Sequence, residues 1–86
     1  MEIMKNASAG TMESSDVYVE IEPGTGIQLN LESVVAQQFG DSIRAVVNEV
    51  LQEQGVTDAN VRIVDRGALE CVIRARVETA VLRGKG

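Results

Sequence analysis

DVYVEIEPGTGIQLNLE, residues 16–32, sets apolar against polar side chains in alternation on both sides of a Pro-Gly break. Val17, Val19 and Ile21 fall on one face and Tyr18, Glu20 and Glu22 on the other, the period of a half-buried strand. Ile27, Leu29 and Leu31 alternate in the same way with Gln28, Asn30 and Glu32. Pro23-Gly24 stops the first strand and Gly24-Thr25-Gly26 supplies a flexible turn. The two strands are expected to pair as a hairpin with a short Gly-rich loop.

Downstream the period changes. In SVVAQQFGDSIRAVVNEVLQEQ, residues 33–54, Val35, Phe39, Ile43, Val46, Val47, Val50 and Leu51 recur at steps of three and four. That spacing makes one apolar stripe along a helix, with Ser33 as its expected N-cap and Gly55 as its C-cap. Gly40 weakens this helix by roughly 1 kcal/mol relative to alanine. NVRIV, residues 60–64, reads as a third strand with Val61 and Ile63 inward, and Asp65-Arg66-Gly67 as a turn. The last segment, residues 68–83, fits two templates. Leu69, Cys71, Ile73, Ala75 and Val77 alternate as in a strand, whereas Leu69, Ile73, Val77, Ala80 and Val81 make a helical face. Its length of about 15 residues and its Ala, Leu, Glu and Arg content select helix.

Upstream, MEIMKNASAGTMESS is small and polar without a sustained period, and residues 1–15 are expected to form a flexible N-terminal arm. Residues 16–86 then make a single α+β domain of order β-β-α-β-α, a small antiparallel or mixed sheet with two helices packed on one face.

The totals narrow the function. An 86-residue chain holds one small domain whose core is thin, so contacts with partners matter to its stability. Eight basic against thirteen acidic residues repel phosphate backbones, and one Tyr, one Phe and no Trp leave no stacking platform for bases. Nucleic acid is therefore not an expected partner. No apolar run approaches the roughly 18 residues of a membrane span, and the first ten residues lack a signal-peptide core, so the cytoplasm is the expected compartment. Residues 1–61 carry a charge balance of −8 and residues 62–86 one of +3. That asymmetry either orients docking on another protein or reflects two differently solvated faces.

There is no histidine, which removes the commonest general base, the Ser-His and Cys-His pairs and most zinc chemistry. Cys71, the one cysteine, lies in an apolar element without a cationic neighbour in sequence and is expected to be buried and structural. The remaining hydroxyls include the pair Ser14-Ser15, flanked by Glu13 and Asp16, with nothing local to activate them as nucleophiles. They read as solvated linker serines, or as a passive attachment point modified by another enzyme that brings the base. Ser42 is the rival. Asp41-Ser42-Ile43 is similar to the Asp-Ser-Leu phosphopantetheine site of ordinary acyl carrier proteins, but it sits within a helical stripe and the chain opens with strands, whereas those carriers are helical bundles.

Ala9-Gly10-Thr11-Met12-Glu13-Ser14-Ser15-Asp16-Val17 closely resembles the N-terminal motif of the citrate lyase acyl carrier (gamma chain) family, Ala-Gly-Thr-Leu-Glu-Ser-Gly-Asp-Val or near it. Gln38-Phe39-Gly40-Asp41, Gly67-Ala68-Leu69-Glu70-Cys71 and Arg74-Ala75-Arg76-Val77-Glu78 extend the likeness in the same order over nearly the whole chain. The resemblance implies a non-catalytic carrier subunit of a lyase complex. It implies that Ser14 bears, through a phosphodiester, a group derived from 2'-(5''-triphosphoribosyl)-3'-dephospho-CoA, whose thiol carries the acetyl and then the citryl thioester. The implied partners are an alpha subunit that exchanges acetate for citrate, a beta subunit that cleaves the citryl thioester to oxaloacetate, and a prosthetic-group transferase. Ser15 stands where the family commonly has glycine, which makes it a second, less favoured candidate for attachment.

Citramalate lyase and malonate decarboxylase use similar carriers, so a carrier for either is the nearest alternative. A small α+β module that binds a ligand without a covalent group, and a structural adaptor, are the readings from other classes. A stand-alone enzyme has no catalytic constellation on which to rest.

Overall fold

The structure, a computed structural model, describes residues 2–86. Its elements in chain order are β1 (Ala7–Gly10), β2 (Val17–Glu22), β3 (Ile27–Ser33), α1 (Ala36–Glu53), β4 (Ala59–Asp65) and α2 (Glu70–Gly84). The expected α+β class, with its helix-strand-helix second half, is the one observed. Among the described residues the sheet has four strands in the order β1-β2-β4-β3. β4 is antiparallel to β2, with Val19 opposite Ile63, and parallel to β3, with Leu29 beside Val61.

The alternation in β2 and β4 splits the sheet into two faces. Val17, Val19, Ile21, Val61 and Ile63 are buried in the core, with Val47, Val50 and Leu51 of α1 and Ile73, Val77 and Val81 of α2. Each such side chain contributes about 1.5–3 kcal/mol of burial. The other face carries Glu20, Glu22, Asn60 and Arg62, and an ion pair joins Arg62 to Glu20 at 3.1 Å. Both helices therefore cover one face and leave most of the other to solvent, Val64 at the end of β4 being the buried exception.

Three expectations give way. Residues 7–10 are not part of a structureless arm: they pair with β2 in register, Ala7 opposite Ile21 and Gly10 opposite Tyr18, with Ala9 buried. Ile3, ahead of them, is buried too, and Met4 and Lys5 donate their amides to the Gly84 carbonyl at 2.8 and 3.1 Å. Two alanines supply too little apolar contrast to announce a strand, and the pairing partner does the work. The expected β2–β3 hairpin is also absent, because β4 lies between the two strands. The link from β2 to β3 passes over the start of β4: Gly26 donates its amide to Asp58 Oδ1 at 2.7 Å, and the Ala59 amide donates to the Gly26 carbonyl at 2.9 Å. Two further bonds therefore dock β3 beside β4, parallel, with α1 as the crossover that parallel neighbours require. Finally, Cys71 is exposed, not buried, because it lies on the outer side of α2.

The start of α1 also differs. Ser33 ends β3 instead of capping the helix; its hydroxyl donates to Asp65 Oδ2 at 2.8 Å and accepts the Val35 amide at 3.1 Å. Phe39, placed on the apolar stripe by periodicity, is 52% exposed at the open end of that stripe.

Candidate functional site: the loop between β1 and β2

Residues 11–16 join the two antiparallel strands and hold the Ser14-Ser15 pair. Asp16 organises the loop. Its Oδ1 accepts the Val17 amide at 2.7 Å and Arg76 Nε at 3.2 Å, and its Oδ2 accepts the Thr11 hydroxyl at 2.7 Å and Arg76 Nη2 at 3.2 Å. The two guanidinium bonds form a planar fork, the geometry that makes Arg-carboxylate pairs specific. Thr11 Oγ1 in turn accepts the Glu13 amide at 3.2 Å, and the Asp16 amide donates to the Glu13 carbonyl at 3.1 Å. A second set of bonds ties the loop to the β4–α2 turn. The Ser15 amide donates to the Arg66 carbonyl at 2.9 Å and the Arg66 amide to the Asp16 carbonyl at 3.0 Å, continuing the β2–β4 ladder.

What remains free is the crest. Met12, Glu13, Ser14 and Ser15 are exposed, and the Ser14 hydroxyl makes no hydrogen bond among the described residues. The Asp16 carboxyl is pulled down from 3.8 to about 2, first by the Thr11 hydroxyl, then by the Val17 amide and the Arg76 guanidinium, so its carboxylate is a weak proton acceptor. The site is an exposed hydroxyl on a loop that the Asp16–Arg76 fork and the Arg66 backbone hold in place. Among the described residues no cluster of three or more His, Cys, Asp or Glu could hold a metal, and no helix is long and apolar enough to cross a membrane.

The two serines differ in backbone. Ser15 has φ +65°, the left-handed region that costs an L-residue with a Cβ about 1–2 kcal/mol relative to glycine. Its amide is also committed to Arg66. Ser15 therefore occupies a position that the loop would fill more comfortably with glycine. Ser15→Gly is expected to raise unfolding stability by about 1 kcal/mol in urea denaturation. Ser42, the rival hydroxyl, lies within α1 and not at its start, and it faces a groove beside the β4–α2 turn. Sequence reasoning missed Thr11 and Arg76. A Thr five residues before an Asp is a weak local signal, and Arg76 reaches Asp16 across 60 residues of chain.

The chain matches the family described as "Malonate decarboxylase delta subunit (MdcD)" over residues 4–84. It is 59% identical over 85 residues to the citrate lyase acyl carrier protein of Escherichia fergusonii, covering 96% of this chain and 88% of that one. The citrate lyase acyl carrier protein of Klebsiella pneumoniae is 56% identical over the same length and shares. The chain belongs to the citrate lyase acyl carrier protein family. The fold of this chain also occurs in a crystal structure of a Pseudomonas malonate decarboxylase hetero-tetramer in complex with malonate. One of its chains superposes with a TM-score of 0.77 at 22% identity, over 96% of this chain and 87% of that one. At that identity the likeness extends to the fold.

The clamp gives this loop a pH signature. Asp16 has a lowered folded-state value, so its contribution is complete above about 4, where the unfolded carboxyl is ionised, and fades as pH falls towards about 2. Glu20, held down by Arg62 and Tyr18, and Asp58, held down by the Gly26 amide and Thr57, titrate in the same direction. Comparison with Asp16→Asn isolates the loop. The stability advantage of the parent over this variant, read from urea unfolding, is expected to be constant from pH 7 to about 4 and to shrink between about 4 and 2.

Proposed function

We propose that this chain is the acyl carrier of a citrate lyase complex, with its prosthetic group joined to Ser14 through a phosphodiester. The observation that supports this reading best is the mounting of Ser14: an exposed, unpartnered hydroxyl on a loop fixed from behind by the Asp16–Arg76 fork and by the Arg66 backbone. A hydroxyl so placed can enter the active site of a modifying enzyme while the body of the domain stays outside. The Ser14 oxygen then attacks the phosphorus next to the ribose of triphosphoribosyl-dephospho-CoA. A new O–P bond forms, pyrophosphate leaves, and the hydroxyl proton passes to a base of the transferase. The residues present suit this role, because none competes for the Ser14 oxygen and Arg66 places a cation on the adjoining turn. Once bound, the group supplies the thiol on which acyl residues are carried.

The partners that follow are the acyl-transferring alpha subunit and the citryl-cleaving beta subunit. A long tether on a fixed anchor raises the effective concentration of one thiol at both of their sites. The malonate decarboxylase likeness supports a carrier of that system as the second reading, but the citrate lyase relatives are far more similar in sequence.

The test is mass spectrometry of protein from its native host during citrate fermentation. A phosphoribosyl-dephospho-CoA adduct confined to the Ser14 peptide is expected. Fully unmodified protein, or phosphopantetheine on Ser42, overturns the reading.

A further inference from the structure

Beside the Ser14 loop lies a groove of about 320 Å³ between the first half of α1 and the β4–α2 turn. Val35, Phe39, Ile43 and Ile73 form its apolar walls, and Ser42, Asp65 and Glu70 supply polar groups, Glu70 being paired with Arg74 at 3.4 Å. Apolar surface continues around it: Val34 is 63% and Leu69 70% exposed. Large apolar side chains left open beside a concave surface mark a binding site more often than a solvated face.

Three features identify what this groove fits. The first is reach. Ser15 is hydrogen-bonded to Arg66, and Gly67 and Ala68, the next two residues, line the groove. With about 3.8 Å between consecutive Cα atoms, Ser14 stands at most roughly 13 Å from that wall. The second is the acceptor at the groove. Asp65 is 1% exposed; its Oδ1 accepts the Gly67 and Ala68 amides at 3.2 and 2.9 Å, and its Oδ2 accepts only the Ser33 hydroxyl. A carboxylate has about four acceptor positions, so one on Oδ2 stays open. The third is the Ser42 hydroxyl, which has no partner among the described residues and can donate or accept. A slot with apolar walls, carboxylate acceptors from Asp65 and Glu70 and one hydroxyl suits a thin chain of methylenes interrupted by amides.

We propose that this groove is a resting site for the pantetheine segment of the chain's own prosthetic arm, which it holds between visits to the partner subunits. The inference rests on the carrier reading with Ser14 as anchor. An amide N–H of the arm donates to Asp65 Oδ2, the Ser42 hydroxyl bonds a second amide, and the methylenes lie along Phe39, Ile43 and Ile73. The thiol end is thereby kept from bulk solvent.

The experiment uses the full chain with Cys71→Ser, so that the arm bears the only thiol, in unmodified form and in a form shown by mass to be fully modified on Ser14. Methyl resonances of Ile43, Val46 and Ile73 are expected to shift on modification, along with those of the loop. The arm's thiol is expected to react with a small disulfide reagent roughly fivefold more slowly than free dephospho-CoA. Ser42→Trp, a change at an exposed position that fills the groove, is expected to cancel the methyl shifts and restore the rate. Fully modified protein whose shifts are confined to residues near Ser14, with a thiol as reactive as the free coenzyme, overturns the proposal and leaves the groove to a partner's side chain. Failure to find the group on Ser14 at all overturns the carrier reading instead, so the two failures are distinguishable.

Discussion

A Ser14→Ala chain, offered the prosthetic-group precursor and the transferase, is expected to stay at its unmodified mass while folding as the parent does. The argument has two halves. Folding is spared because Ser14 is exposed and its hydroxyl bonds nothing among the described residues, so the change in unfolding free energy stays within about 0.5 kcal/mol. Modification is lost because no other hydroxyl occupies the crest of the loop in a free backbone setting. Ser15, next door, holds a left-handed φ and gives its amide to Arg66. A Ser15→Ala chain is accordingly expected to accept the group on Ser14 in full. Intact mass before and after the reaction, with circular dichroism as the folding control, reads both outcomes. A modified Ser14→Ala chain beside an unmodified Ser15→Ala chain would reverse the assignment.

Gly10→Ala is expected to be the most damaging single-methyl change near the site. Gly10 ends β1 with φ +86°, and a Cβ built there overlaps the backbone carbonyl oxygen of Val17 and lies 3.2 Å from Arg76 Cδ. The left-handed backbone alone costs about 1–2 kcal/mol. The overlap cannot be relieved by a rotamer, since the obstacle is main chain at the β1–β2 pair. The total is expected to reach about 3 kcal/mol or more, a large share of the roughly 4–13 kcal/mol that stabilises a domain of this size. Pushing Arg76 aside also loosens its fork on Asp16, so the folded fraction should accept the prosthetic group more slowly. Urea unfolding and a time course of modification at matched folded concentration measure the two effects separately.

β2, β3, α1 and β4 were legible because each commits many side chains to one period, whereas the α2 segment fitted both periods and was read as helix from its length and composition. β2 and β4 show both faces in their alternation, and α1 shows its buried stripe at Ile43, Val46, Val47, Val50 and Leu51. Which strand neighbours which was not legible. Alternation says which face a residue takes but nothing about the strand beside it, and the Pro-Gly link between β2 and β3 looks locally like a hairpin turn. The bonds that separate these strands, Gly26 to Asp58 and Ala59, join residues more than thirty positions apart. β1 was hidden for a different reason: it buries Ala9 and little else, and its pairing energy is mostly backbone. The candidate serine was visible through the motif around it, whereas the cation that holds its loop lies on the opposite end of the chain. Cys71 and Phe39 sit where the apolar pattern predicts burial, yet the helices present them outward.

The placement of β4 between β2 and β3 also constrains how the polypeptide matures during synthesis. A ribosome releases β1, β2, β3 and α1 before any of β4, so the nascent chain holds β2 with one edge open and β3 with no strand beside it. Closure waits for Asp65 to emerge, and the last-made strand must insert centrally, forming contacts of high sequence separation that slow folding. During that interval the apolar faces of β2 and β3 are the segments most exposed to mispairing with neighbours on the same polysome.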